Sequence, residues 1–168
     1  SAITTEIGPA AIAVNATTNK IYVATTNYLE SINGSNNVVT RGPQHAITDL
    51  AVDSTNDKIF GIVSTGGTVR VYDGATMAVA QTYTLSGSPS ATALAIDSTG
   101  TSIFIADNST YKRIIKYSTS TGQSDYYSIN DSSYGSVWAV RVNQTTGVVY
   151  FTTVRSGYGD LGALFTLH

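Results

Sequence analysis

Four times along the chain an apolar triplet ends on Asn or Asp. A short polar turn follows, and then a second apolar run whose second residue is aromatic. The copies are Ile12-Ala13-Val14-Asn15 with Ile21-Tyr22-Val23, Leu50-Ala51-Val52-Asp53 with Ile59-Phe60-Gly61, Leu94-Ala95-Ile96-Asp97 with Ile103-Phe104-Ile105, and Val140-Arg141-Val142-Asn143 with Val149-Tyr150-Phe151. The runs are short, rich in β-branched and aromatic residues, and bounded by Gly, Asn, Asp and Ser clusters, which predicts strands.

Successive Asx anchors lie 38, 44 and 46 residues apart. Strand-only repeats of roughly 40–45 residues are the mark of propeller blades. Each repeat reads as four strands. The apolar triplet is strand a, and the aromatic-bearing run is strand b. Strand c is Leu29–Ile32, Thr68–Tyr72, Arg113–Tyr117 and Ala163–Leu167, and strand d is Val38–Arg41, Val79–Leu85 and Gln123–Ile129. The expected fold is an all-β, four-bladed β-propeller in one domain, residues 1–168, with blades at about 8–43, 44–87, 88–130 and 131–168 plus 1–7. The fourth repeat ends after its strand c, while Ala2–Ile7 falls where a strand d belongs. An unpaired edge strand invites association. Ile3, Thr5 and Ile7 are therefore expected to complete the last blade, within the chain or from a neighbouring subunit by strand addition.

Lys20-Ile21-Tyr22-Val23-Ala24-Thr25-Thr26-Asn27 resembles the strand-b phrase of YVTN/NHL-type β-propeller repeats, and Val69-Arg70-Val71-Tyr72-Asp73-Gly74-Ala75-Thr76 resembles their strand c and following turn. The likeness covers nearly the whole chain at the level of the repeat. Families of this type include surface proteins, lyases, lactonase-like enzymes and binding scaffolds, so the resemblance implies a fold and leaves the activity open.

Charged residues make up 12% of the sequence and the net charge is −2, with nine scattered Lys and Arg. That balance argues against a nucleic-acid partner. No apolar run is long enough to span a membrane as a helix. Cysteine is absent, which excludes disulfides, thiolate catalysis and thiolate metal sites. Ser1-Ala2 reads as a mature terminus after signal removal. Five sequons, at Asn15, Asn33, Asn108, Asn130 and Asn143, fall in expected turns and suggest glycosylation. Asn-x-Ser/Thr is also ordinary turn chemistry.

Candidate chemistry is sparse. The anchors Asn15, Asp53, Asp97 and Asn143 are expected to cap turns rather than bind metal. His45 and His168 are the only histidines. Neither has the Ser and orienting partner of a nucleophilic triad in its sequence context. Ala13, Ala51, Ala95 and Arg141 hold equivalent inner-strand positions. If they face a channel, three alanines and an arginine are poor metal ligands. Arg141 itself is expected to pair with Asp49 or Asp160. The d–a and b–c loops share one end of a propeller and carry Tyr28, His45, Tyr111, Lys112, Arg113, Tyr134, Arg155, Tyr158 and Asp160, with Trp138 nearby. Tyr and Arg among Gly and Ser make adaptable contact surfaces.

The reading is a non-enzymatic extracellular or cell-surface module without cofactor. It would bind itself, other surface proteins or glycans, and assemble through its N-terminal strand. The alternatives are a carbohydrate-binding propeller using the aromatic loops, and a reduced lyase- or lactonase-like enzyme.

Overall fold

A computed structural model describes residues 2–63, 67–87, 89–129, 134–155 and 162–167. Four antiparallel sheets form the blades of an all-β propeller. They fall into two compact units, Ser1–Thr84 and Leu85–His168.

The first unit holds two four-stranded blades. One runs β1 (Ala11–Asn15), β2 (Lys20–Ala24), β3 (Tyr28–Asn33) and β4 (Val39–Gln44). The other runs β5 (Ile47–Asp53), β6 (Lys58–Val63), β7 (Thr68–Asp73) and β8 (Val79–Thr84). The second unit begins with β9 (Ala91–Ile96), β10 (Ser102–Asp107), β11 (Arg113–Ser118) and β12 (Ser124–Ser128). It ends with β13 (Tyr134–Val142), β14 (Val149–Arg155) and β15 (Gly162–Leu167). Strands a, b, c and d of the repeat therefore overlap these elements in order, with several observed strands running longer: β5 and β9 begin three residues before the expected triplet and β13 six, and the described fourth blade has no strand d.

The Asx anchors turn the chain between the first two strands of each blade. Asn15 Oδ1 accepts from the amides of Thr17 and Thr18, at 3.0 and 3.2 Å. Asp53 does the same for Thr55 and Asn56, and Asn143 for Thr145 and Thr146. The fourth residue on from these anchors then takes a left-handed backbone: Asn19 at φ 50°, Asp57 at 49° and Gly147 at 74°. Asn, Asp and Gly are the residues that tolerate this region. The third copy turns one residue sooner, at Gly100, and Asp97 caps Thr101 instead.

A second set of such turns joins the third and fourth strands. Asn33, Asp73 and Ser118 cap them, and Asn37, Met77 and Gly122 take the left-handed position. Met77 is an unusual occupant, held there with its side chain buried in the core of the first unit.

That core joins Tyr22, Ala24 and Leu29 of the first blade to Ile47, Leu50, Ile59 and Tyr72 of the second. In the second unit Ala93, Ala95, Phe104, Ala106 and Ile114 pack on Val137, Val140, Val149 and Phe151. This corrects the expectation that the inner-strand alanines line a channel. Ala95 is in the core, and Ala13 packs against the core of its own unit. Blades stacked face to face bury both surfaces of a sheet, so a small residue there admits its neighbour's bulk.

The N-terminal segment also departs from expectation. Residues 2–10 form no strand, and the described fourth blade has three strands, with β15 at its edge. Ile7 and Glu6 lie instead on the first blade. The Thr26 amide donates to the Ile7 carbonyl at 3.4 Å, and the Glu6 amide donates to the Glu30 carboxylate at 3.1 Å. The attraction is electrostatic: Glu6 and Glu30 both reach Arg41.

Candidate functional site

The d–a and b–c connections carry the polar and aromatic groups singled out in the sequence. In the first unit the start of β3 places Tyr28 beneath Arg41 of β4, with the guanidinium carbon 4.7 Å from the ring centre. The cation is attracted to the face of the ring. Register explains the ion pair as well, since Glu30 and Arg41 stand directly opposite on β3 and β4. Glu30 is buried, and Arg41 Nε lies 3.5 Å from its carboxylate.

His45, in the connection from β4 to β5, meets Tyr72. Its Nδ1 is 3.3 Å from the phenol oxygen, with ring centres 5.8 Å apart. Burial, and secondarily the Arg70 cation, hold His45 below its ordinary 6.5. Burial raises the Tyr72 phenol, partly offset by Arg70. Both shifts favour the uncharged forms of the pair, and the contact ties the loop to β7.

In the second unit the b–c connection is built around a buried ion pair. Asp107 closes β10 and Arg113 opens β11, directly opposite each other. Arg113 Nε donates to Asp107 Oδ2 at 2.8 Å. The other carboxylate oxygen accepts from the amides of Ser90 and Ser109, both at 2.9 Å. The guanidinium is stacked between Tyr111, 4.5 Å away, and Tyr126, 4.1 Å away. Arg113 is thus a brace, and both rings on it are exposed, Tyr111 more than Tyr126.

Trp138 is 66% exposed, at an irregularity where the β13–β14 register shifts. Arg155 ends β14 opposite Tyr134. Tyr158 and Asp160 lie outside the described residues, as does Asn130. Arg141 is exposed, and its Nη1 donates to the Val140 carbonyl at 2.7 Å. Among the sequons, Asn15 is fully buried and its Nδ2 donates to Asp57 at 2.7 Å. A glycan on Asn15 does not fit this fold. Asn33 and Asn143 are exposed, and Asn108 is half-buried, with its Oδ1 accepting the Val137 amide at 2.6 Å.

At the turn end of the first unit, an open cleft of about 230 Å³ is lined by residues including Lys20, Asn33, Asn36, Thr76 and Met77. The Lys20 ammonium is engaged there by the Gly74 carbonyl at 2.7 Å. Among the described residues no three His, Asp or Glu side chains are grouped to hold a metal ion. Among the described residues no helix is long and apolar enough to cross a membrane.

Arg41, Tyr126, Glu30 and Asp107 were not singled out in the sequence. Counting register from the turns would have found Glu30 with Arg41 and Asp107 with Arg113.

No family model and no curated protein matches the sequence. Solved structures do match the fold. Hydrazine synthase of Kuenenia stuttgartiensis superposes with a TM-score of 0.74 at 13% identity, over 94% of this chain and 46% of that one. A structural-genomics protein of unknown function from Bacteroides thetaiotaomicron gives 0.71 at 16% identity, over 92% and 43%. A chain of the nidogen/laminin complex gives 0.70 at 10% identity, over 93% and 64%. The chain therefore spans less than two thirds of each of these proteins, and what it shares with them is the β-propeller fold.

Proposed function

We propose that this chain is a non-enzymatic interaction module of YVTN/NHL repeat type, extracellular or at the cell surface, that binds protein partners with its loop end. The observation that carries this reading is the braced aromatic surface of the second unit. Tyr111 is exposed on a guanidinium that Asp107 and Tyr126 hold still. A rigid aromatic anchor offers contact area at little entropic expense. A propeller of similar fold occurs in a complex of nidogen with laminin, which supports a protein partner in kind. The test is capture of binding partners from extracellular and surface extracts by the wild-type chain and by Tyr111→Ala and Trp138→Ala variants. Binding that both variants retain in full would refute the loop-end reading. A glycan array bound only by the wild type would move the assignment to the carbohydrate-binding alternative.

A second reading concerns self-association. Residues 2–10 hold no strand and β15 is an edge. Residues 2–7 of a neighbouring copy would add to that edge by backbone pairing. Removal of residues 1–7 followed by sizing tests it: an unchanged association state rules it out.

A further inference from the structure

The cleft at the turn end of the first unit takes no part in the loop-end reading, and every residue that lines it belongs to that unit. One wall is a face of the first blade. Lys20 stands opposite Asn33 in the β2–β3 register, and Ser31 stands opposite Thr40 in the β3–β4 register. Alternation along each strand puts these four side chains on one side of the sheet. Asn36 and Val38 extend this wall from the turn between β3 and β4, and the β7–β8 turn of the second blade forms the other wall at Thr76 and Met77.

Both walls are held by internal bonds. The Gly74 carbonyl accepts from Lys20 Nζ at 2.7 Å and from the Tyr22 hydroxyl at 2.9 Å, which ties one blade to the other. Asp73 caps the amides of Ala75 and Thr76. Asn33 Oδ1 accepts from the Ser35 amide at 2.8 Å, and Asn36 Oδ1 from the Val38 amide at 3.0 Å. These bonds use the amide oxygens. Among the described residues the Nδ2 groups of Asn33 and Asn36 and the hydroxyls of Ser31 and Thr40 have no hydrogen-bond partner. A lysine ammonium carries three donors, and the Gly74 carbonyl takes one.

We propose that this cleft binds a neutral sugar ring. Hydroxyl groups both donate and accept, and so match a wall of amide, hydroxyl and ammonium groups. Charge argues against an anion. Asp73 feels the Lys20 charge, Asp57 holds the Gly74 amide, and Lys58 stands opposite Asp73 in the register, so two cations balance two carboxylates. Val38, 56% exposed, and Met77 offer apolar contact to the C–H face of a ring. Sites for drug-sized ligands run to about 300–1,000 Å³, so a cleft of about 230 Å³ suits a single ring. Walls already fixed by the chain add little ordering cost on binding.

The site is independent of protein capture by the loop end. A titration of the isotopically labelled chain, followed by its amide resonances, tests it. The chain is made in a bacterial host so that the Asn33 sequon is bare, and the probes are glucose, galactose, mannose and N-acetylglucosamine. At least one of them should shift the amides of Lys20, residues 31–40 and residues 74–77. Thr40→Val and Asn36→Ala, both at exposed positions, should each weaken that binding about three- to tenfold while the rest of the spectrum stays in place. Four sugars that leave these amides unmoved overturn the proposal. So do shifts confined to the Tyr111 and Trp138 connections, an affinity that both variants keep, or tighter binding of glucuronate or sulfate in the cleft.

Discussion

Asp107→Asn tests whether the loop end of the second unit stands on a buried ion pair. Asp107 is fully buried and Arg113 is 9% exposed, so solvent screens their interaction little. The substitution leaves one oxygen to accept the Ser90 and Ser109 amides. It sets an amide nitrogen or a neutral oxygen against Arg113 Nε, and the guanidinium loses its counter-charge. Breaking a buried pair by removing one partner costs about 3–5 kcal/mol, whereas an exposed pair is worth about 0–1 kcal/mol. The stacked tyrosines survive the change and retain about 0.5–1 kcal/mol each. A net loss near 3 kcal/mol is therefore expected, which for a chain of this size lowers Tm by roughly 6–12 °C. The single tryptophan, Trp138, lies in the same unit and reports on it by fluorescence during urea unfolding. Arg113→Met and the double substitution complete a cycle, in which the double variant should be less damaged than the sum of the singles. A loss under about 1 kcal/mol for Asp107→Asn, with additive singles, would refute the brace.

Three other outcomes are expected. Gly74→Ala should destabilise the first unit by about 1–3 kcal/mol, because its Cβ would stand 2.7 Å from the Asp57 carbonyl oxygen; an unchanged urea midpoint would count against it. Thr153→Val should stabilise by up to about 1 kcal/mol, since the Thr153 hydroxyl is buried without a hydrogen-bond partner, and a lowered midpoint would count against that. Two groups set opposite ends of an acid profile. Asp97 is raised by burial but lowered further by hydrogen bonds from Ser102, Thr101 and Thr99, so its folded form holds the proton less tightly than its ordinary 3.8. Its stabilisation is complete above that value and is lost as pH falls through the lower folded one. His45 is also lowered, so the unfolded chain takes up its proton first and stability begins to decline below about 6.5. Thermal melts of Asp97→Asn and His45→Gln should each lose their own part of the profile.

Much of the fold was legible because blade architecture is written in local chemistry. An Asx anchor, a left-handed Asn, Asp or Gly beyond it, and alternating apolar strands specify each hairpin within a few residues of sequence. The turns after β3, β7 and β11 use the same device, and in the second of them the left-handed position falls on Met77, whose backbone is secured by core packing rather than by residue type. The candidate site was legible only as a collection. Tyr111 and Arg113 could be placed in one connection, but not Tyr126, which reaches the guanidinium from the neighbouring strand β12.

The sequence by itself determined the number of blades, their strands and the hairpin ends, since these depend on contacts between residues close along the chain. Only the tertiary structure decided which residues became buried. It turned Ala13 and Ala95 toward neighbouring blades and made Arg113 a brace instead of a free ligand contact. It laid Glu6 on Glu30 and Arg41. Those outcomes depend on which sheet faces which, and on charges brought together across the sheet, and a repeat that is nearly the same in every blade does not encode them.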